Sequence, residues 1–180
     1  MLKNFNLIVS TIRGKEEDCI SELWYFLKEL NDEDINISRT GLPGLIVART
    51  TLDPIKVVRS LREKALSNPW YFIFILKIIP IHATTDTEIQ NIKKLALELA
   101  EKFLAENDTY RITIRKRLTD LRSKEIIGEI APFIKNKVNL EKPDKIIWIE
   151  IVGRVTGISV IEPCDVVSLE IIRRNKRVNL

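Results

Sequence analysis

The chain of 180 residues contains few of the residues from which most catalytic and cofactor sites are built. It has one histidine, two cysteines and six glycines. The histidine and cysteines form no CxxC or HExxH pair, so the usual signatures of a zinc site are missing. The glycines form no GxGxxG, P-loop or GxSxG motif. These absences argue against Rossmann, P-loop, zinc and serine-hydrolase enzymes, and we expect no cofactor.

Long apolar runs are also absent. The most apolar stretch, residues 70–76, is followed by Lys77 and Pro80 and falls far short of the roughly 20 residues that a membrane-spanning helix requires. Polar residues near the N-terminus interrupt the apolar run that the core of a signal peptide would require. The two cysteines, Cys19 and Cys164, suit a reducing compartment. We therefore expect a cytoplasmic protein with no membrane partner.

The first 82 residues alternate between strand-like and helix-like patterns. Asp53 followed by Pro54 is a strong helix start, because an N-cap residue precedes a proline at the first helical position. The predicted order is strand, helix, strand, strand, helix, strand, over residues 5–12, 15–30, 35–38, 45–49, 54–66 and 70–79. This order is that of a ferredoxin-like βαββαβ domain.

The second half predicts helix, strand, helix, strand, strand, strand. The residues Thr-Asp-Thr-Glu at 85–88 form a capping box, after which a helix is expected as far as Glu106. A helix beginning at Ser123 is expected to kink or stop near Pro132. The remaining strands are predicted over residues 110–117, 145–152, 156–161 and 166–173.

Positive charge is concentrated in the second half of the sequence. Residues 109–180 carry fifteen Lys/Arg against nine Asp/Glu, whereas residues 1–108 carry fourteen against sixteen. Alternation along residues 110–117 places Arg111, Arg115 and Arg117 on one face of a strand. Arginine pairs bidentately with phosphate, so this strand is typical of a nucleic-acid-binding surface. A solvated face of an ordinary charged protein is an equally good interpretation of the charge alone.

Three segments carry a resemblance to a known family. They are TYRITIRKR at 109–117, RSKEIIGEIAPFI at 122–134, and NKVNLEKPDKIIWIEIVGRVTGISVI at 136–161. Their order and spacing resemble the THUMP domain, which in its family follows an N-terminal ferredoxin-like domain. The resemblance implies an α+β protein, with a ferredoxin-like βαββαβ domain over residues 1–82 and a THUMP α/β domain with a mixed sheet over residues 83–180.

The resemblance also implies a function. THUMP modules bind tRNA at its acceptor end and usually accompany a catalytic domain that modifies the tRNA. Because no catalytic domain precedes Met1 or follows Leu180, we expect a non-catalytic protein whose partners are tRNA and a separate tRNA-modifying enzyme. Such a chain resembles the adaptors that present tRNA to the cytidine acetyltransferase that makes N4-acetylcytidine, an assignment that depends on analogy.

The candidate RNA-binding residues follow from the charge pattern and the resemblance. Lys116 and Arg117 match the Lys-Arg that ends the first THUMP strand, although alternation predicts that Lys116 faces the core. Trp148 alternates with isoleucines and is interpreted as a core residue. The full set of candidates is Arg111, Arg115, Lys116, Arg117, Arg122, Lys124, Lys135, Lys137, Arg154, Arg173 and Arg174.

Two other function classes stay open. A metal-independent endoribonuclease of the ferredoxin-like kind would use His82 as general acid or base. His82 lies in the segment between the two predicted domains, and no Gly-rich loop follows near the C-terminus. An oligomerisation or small-molecule module would account for the first domain and leave the arginine-rich strand unexplained.

Overall fold

A computed structural model describes residues 1–178 of the chain. The chain folds as two compact units. Unit 1 consists of Met1–Pro80 together with the C-terminal segment from Cys164 onward, and unit 2 is Ile81–Pro163. Each unit has its own sheet and its own apolar core. No helix within residues 1–178 is long and apolar enough to cross a membrane.

Unit 1 is an antiparallel five-stranded sheet with three helices. The elements are β1 (Leu7–Thr11), α1 (Glu16–Glu29), β2 (Asn36–Arg39), β3 (Leu45–Arg49), α2 (Pro54–Ser67), β4 (Ile75–Pro80), β9 (Val167–Ser168) and α5 (Leu169–Val178). The strand order in the sheet is β2-β3-β1-β4-β9. The order of elements predicted for the first 80 residues is confirmed.

Helix α2 begins where the sequence predicts it. The side chain of Asp53 accepts hydrogen bonds from the backbone N–H groups of Ile55 and Lys56, at 2.8 and 3.2 Å. Pro54 occupies the first helical position, where a backbone N–H would have no partner within the helix, so the lack of one costs no hydrogen bond. The apolar stripe of the helix is buried in the unit 1 core. The capping bonds at its start and the burial of its apolar stripe therefore both stabilise α2 in this position.

The strand predicted over residues 70–79 is shorter than expected. Pro69–Tyr71 forms a single 3-10 turn, and β4 starts only at Ile75. The carboxylate of Glu22 in α1 accepts hydrogen bonds from the backbone N–H groups of Ile73 and Ile75, at 2.6 and 2.7 Å. Because the amides in this stretch bond to a helix side chain, the segment before β4 forms a loop at the end of the sheet.

The C-terminal segment differs from the strand that the sequence predicts. Residues 166–173 were expected to form a strand of the second domain, over 83–180, but only Val167–Ser168 is a strand, and it pairs with β4. Leu169 then begins α5 and is fully buried in the unit 1 core. Asp165 accepts a 2.7 Å hydrogen bond from Arg59 of α2. Apolar burial and this ion pair hold the segment on unit 1.

Unit 2 has a four-stranded mixed sheet. The elements are β5 (Ala83–Asp86), α3 (Ile89–Phe103), β6 (Tyr110–Arg117), α4 (Ser123–Ile130), β7 (Lys145–Val152) and β8 (Val155–Ile161). The strand order is β5-β8-β7-β6, in which β6 and β7 are parallel and the other pairs are antiparallel. The predicted mixed sheet is therefore present.

The start of α3 differs from the prediction. Residues 85 and 86, expected as part of a capping box, lie in β5 and pair with Thr156 and Val155 of β8. The helix begins at Ile89, and Glu88 at its N-cap makes no side-chain cap bond. Pairing with β8 extends the strand as far as Asp86, so the helix begins only at Ile89.

Helices α3 and α4 pack on one face of the unit 2 sheet. Ile92 and Ala96 of α3 and Ile126 and Ile130 of α4 are buried in one apolar cluster with the isoleucines of β7. Helix α4 ends at Ile130 and continues as a 3-10 turn that contains Pro132. The predicted stop near this proline is confirmed.

Candidate nucleic-acid interface

The carboxyl ends of β6 and β7 lie side by side because the two strands are parallel. Arg117, the last residue of β6, pairs in register with Val152, the last residue of β7. The backbone N–H of Gly153 donates to the carbonyl of Arg117 at 2.9 Å. Gly153 has a φ of 61°, a left-handed conformation that glycine adopts without strain. The tight turn of the β7–β8 hairpin thus places Arg154 beside the end of β6.

The loop after β6 brings further cations to the same edge. Leu118 turns the chain with a φ of 55°. The Lys116 ammonium donates to the carbonyl of Leu121 at 2.8 Å and so fixes the loop that leads into α4. Five exposed cations, which we call the basic cluster, lie at this edge: Arg115, Lys116, Arg122, Lys124 and Arg154.

The charge of the basic cluster is not compensated. Among residues 1–178, no carboxylate forms an ion pair with any of its five members. Residues 115–125 carry five Lys/Arg and two carboxylates, Asp120 and Glu125, both exposed. An exposed group of cations with a surplus of positive charge is suited to binding phosphate.

Arg117 has a different environment from its neighbours. Its guanidinium donates to the carboxylate of Glu150 in β7, which is only 2% exposed. The same carboxylate accepts a 2.8 Å hydrogen bond from the indole nitrogen of Trp148. The charge of Arg117 is therefore balanced within the fold by an ion pair, and its role as a phosphate ligand stays a prediction.

Arg111 also departs from the predicted surface. Its Nη1 donates to the carbonyl of Leu140 at 3.1 Å, and its Nε is buried without a hydrogen-bond partner within residues 1–178. The sheet register pairs Arg111 with Ile146, which is 1% exposed. Strand alternation therefore does not produce one continuous arginine surface.

Trp148, predicted as a core residue, is 3% exposed, and that prediction is confirmed.

Lys116 is exposed, whereas alternation predicted that it faces the core. Ile112 and Ile114 of β6 pack on the unit 2 core, whereas Arg115 and Lys116, which follow them, are exposed. The end of the strand extends past the apolar contacts, so both side chains reach solvent. Alternation holds only as far as the core extends.

The other predicted cations lie elsewhere. Lys137 is exposed at the amino end of β6, where its carbonyl accepts from the backbone N–H of Tyr110 at 3.0 Å, and Lys135 is exposed after the 3-10 turn. Arg173 and Arg174 belong to α5 in unit 1, and Arg173 donates to the carbonyl of Phe72. The eleven predicted cations thus divide into four groups: five in the basic cluster, two with partners inside unit 2, two exposed elsewhere in unit 2 and two in unit 1.

This division changes the interpretation of the charge. Unit 2 carries fourteen Lys/Arg against thirteen Asp/Glu, and unit 1 carries fifteen against twelve. The excess of the second half of the sequence is thus shared between the units, because the cationic α5 folds onto unit 1. Local clustering, rather than the charge of a whole domain, distinguishes the edge of unit 2.

His82 is held by the fold of unit 2. Its Nδ1 accepts a 3.1 Å hydrogen bond from the backbone N–H of Val160 and lies 2.8 Å from the Ser159 hydroxyl. Its ring stacks on Phe103, with centroids 4.2 Å apart. Because a backbone N–H can only donate, Nδ1 is an acceptor and a neutral ring carries its proton on Nε2.

Within residues 1–178, no group of three or more His, Cys, Asp or Glu residues could hold a metal ion.

Sequence reasoning missed Glu150, the one carboxylate in the apolar strand β7. A glutamate among isoleucines is a detectable signal, because a buried carboxylate requires a cation or several hydrogen-bond donors. The parallel register of β6 and β7 supplies the cation, Arg117, and Trp148 of β7 itself supplies a donor. The register follows from tertiary structure.

The sequence of unit 2 matches a known family model. A family model described as the THUMP domain matches residues 86–161. The match includes all of β6, α4, β7 and β8, and it confirms the resemblance inferred from residues 109–161. No curated protein sequence gives a significant match.

Several solved structures have a similar fold. PH1313 from Pyrococcus horikoshii Ot3 is 21% identical, with a TM-score of 0.60 over 88% of this chain. TrmN from Thermus thermophilus and a 4-thiouridine synthetase–RNA complex with bound ATP are each 15% identical, with TM-scores of 0.57, also over 88% of this chain. This chain covers 55%, 46% and 42% of the three proteins respectively. At these identities the likeness is one of fold, and the THUMP domain model matches residues 86–161 of the chain.

Proposed function

We propose that this chain binds tRNA through the basic cluster of its THUMP domain and acts in tRNA modification. THUMP domains are RNA-binding, and one of the similar structures is a thiouridine synthetase in complex with RNA. The observation that carries the proposal is the basic cluster itself, five exposed cations at one edge of unit 2 that form no ion pair with residues 1–178.

The geometry suits phosphate rather than bases. Arg115 and Arg122 offer guanidinium forks, which pair with phosphate oxygens in two parallel hydrogen bonds. Helix α4 begins beside them, and no side chain caps its first turn. Its amide groups and the positive end of its dipole add to the attraction for phosphate. Contacts of this kind position folded RNA without selecting one base sequence.

The finer parts of the proposal follow from the resemblance. We propose that the chain is non-catalytic and cytoplasmic, that it recognises the acceptor region, and that it presents tRNA to a separate modifying enzyme. Cytidine N4-acetylation is the proposed reaction of that partner. We also assign unit 1 to the ferredoxin-like class, which its βαββαβ order and the strand order β2-β3-β1-β4 support.

Charge reversal in the basic cluster tests the binding site. We expect Arg115→Glu combined with Lys116→Glu to weaken binding of all tRNAs alike, by about tenfold or more, because phosphate contacts are lost and repulsion is added. Lys94→Glu is the matched control, since Lys94 is exposed on α3 in the same unit. Gel-shift titration measures affinity, and circular dichroism verifies folding. Equal affinity of the double variant and the control would reject this site.

A genetic experiment tests the role in modification. Nucleosides of total tRNA from a deletion strain are profiled by mass spectrometry, with wild-type or double-variant chain restored. We expect one modified nucleoside, N4-acetylcytidine in our proposal, to disappear and to return only with the wild-type chain. A modification profile unaffected by deletion would contradict a role in modification, even if tRNA binding holds in vitro.

A further inference from the structure

Unit 1 presents exposed aromatic side chains that its core does not use. Trp70 and Tyr71 lie in the 3-10 turn before β4 and are 52% and 61% exposed. Aromatic residues of this size are ordinarily buried, since each removes a large apolar area from water. We call this pair, together with Arg173 and Arg177 of α5, the Trp70 platform.

Two arginines lie over the indole ring. The guanidinium carbons of Arg173 and Arg177 are 5.6 and 5.1 Å from the centroid of the Trp70 ring. Helix α5 carries four cations, including Arg174, and a single carboxylate, Glu170. An exposed indole beside guanidinium groups combines the two elements that bind single-stranded nucleic acid, a surface for base stacking and charge for the phosphates.

The backbone under the platform is fixed on both sides. The side chain of Asn68 accepts a 3.1 Å hydrogen bond from the N–H of Trp70. Arg173 donates to the carbonyls of Pro69 and Phe72. Glu22 binds the amides that follow the turn, including that of Ile73 at 2.6 Å. The aromatic side chains are therefore presented from an ordered loop, and binding does not have to supply the entropy of ordering it.

The charge around the platform favours an anionic ligand. The carboxylate bonded to the loop is Glu22, which accepts from the backbone N–H groups of Ile73, Phe74 and Ile75 at 2.6, 3.0 and 2.7 Å. Arg174 and Arg177 are exposed on α5, and neither forms an ion pair with residues 1–178. With four cations against one carboxylate, the helix beside Trp70 is positively charged.

We propose that the Trp70 platform binds a single-stranded RNA segment. Bases stack on Trp70 and Tyr71, and the neighbouring phosphates lie against Arg174 and Arg177. This site rests on the proposed RNA binding of the chain, but it uses unit 1 and depends on none of the residues of the basic cluster.

An oligouridine of about twelve nucleotides, a length within the range that one small domain contacts, is the probe. Fluorescence anisotropy measures its affinity for the full chain. We expect Trp70→Leu to weaken binding about tenfold, the effect of removing one stacked base. Trp24→Leu is the matched control, because Trp24 is 49% exposed on α1 of the same unit and lies outside the platform. We expect this control to bind as the wild type does.

A second variant keeps the inference testable if Trp70→Leu fails to fold. Arg174→Gln combined with Arg177→Gln leaves the loop and its aromatic residues unchanged, and we expect weaker binding with a smaller dependence on salt. Equal oligouridine affinity in the wild type and in folded platform variants overturns the inference and leaves the surface to a protein partner. Absence of oligouridine binding by the wild-type chain overturns it as well.

The two proposals fail separately. Arg115→Glu combined with Lys116→Glu should weaken tRNA binding and leave oligouridine binding intact if both proposals hold. Loss of oligouridine binding in that variant, with retention in Trp70→Leu, assigns the single strand to unit 2 and rejects the platform. Oligouridine binding that needs Trp70, with tRNA affinity unaffected by the basic cluster, rejects the proposed tRNA site alone.

Discussion

Arg117, the last residue of β6, donates from its guanidinium to the buried carboxylate of Glu150 on the adjacent parallel strand β7. Glu150 is also bound by the indole of Trp148. Arg115 and Lys116, immediately before Arg117, are exposed instead. Neighbouring cations in one strand thus have different roles, since one balances a charge within the fold and two are available to a ligand.

Removing the charge of Arg117 should destabilise the protein. Arg117→Gln leaves the carboxylate of Glu150 buried without its cation, and we expect a loss of about 1–3 kcal/mol in the free energy of unfolding. Urea denaturation followed by circular dichroism measures the change. Arg115→Gln is the control and should stay within about 0.5 kcal/mol of the wild type.

A double-mutant cycle with Glu150→Gln checks the cause. Because the pair acts as a unit, the two substitutions together should cost less than the sum of the single losses. Strictly additive losses would show that Arg117 stabilises the fold through packing and not through its charge.

Binding of tRNA should depend on salt to an extent set by the basic cluster. If its five cations each neutralise one phosphate, the slope of log K against log salt is about −3.5 to −4.5. Arg154→Gln should reduce the slope by about one, whereas Lys94→Gln should leave it unchanged. Filter-binding titrations over a range of salt concentrations give the slopes. A slope near zero would contradict phosphate recognition.

The C-terminal segment should be part of the stability of unit 1. Leu169→Ala removes a fully buried side chain from the unit 1 core and is expected to cost about 2–5 kcal/mol. Hydrogen exchange should accelerate in β4, which pairs with β9, and not in β7. Ile171→Ala, on the same helix but 50% exposed, is the control and should change little. Faster exchange confined to unit 2 would contradict the assignment.

Acid should weaken unit 1 through Asp32. Burial raises the pKa of Asp32, but hydrogen bonds from the hydroxyls of Thr50 and Thr51 outweigh it, so the pKa lies below its ordinary value. A carboxyl with a lowered folded pKa stabilises the protein above its unfolded pKa of about 3.9, and this contribution is lost as the pH falls through the folded value. The difference in unfolding free energy between wild type and Asp32→Asn should therefore shrink from pH 6 to about pH 3. A constant difference would exclude this linkage.

The elements of unit 1 before residue 70 were predictable because their signals are local. Asp53 and Pro54 define the start of α2 through bonds that span three residues. The hairpin of β2 and β3 follows from two short apolar runs separated by glycine and proline, and its antiparallel pairing is confirmed. The THUMP resemblance likewise depended on order and spacing along the chain.

The end of the chain was not predictable in the same way. Two valines at 166 and 167 favour a strand, and a short strand does form there. Whether the next residues continue as strand or turn into helix is decided by the partner that buries Leu169. That partner is the core of unit 1, about ninety residues away in sequence, and no local pattern identifies it.

The sequence by itself determined which short site motifs the chain lacks, the THUMP resemblance, and the supply of cations from which a phosphate-binding surface can be made. Tertiary structure decided which cations remain available. Parallel pairing of β6 and β7 places Glu150 against Arg117 and balances that charge. Folding of α5 onto unit 1 places Arg177 over Trp70. Electrostatic interactions depend on distance in space, and chain order does not fix that distance for residues far apart in sequence.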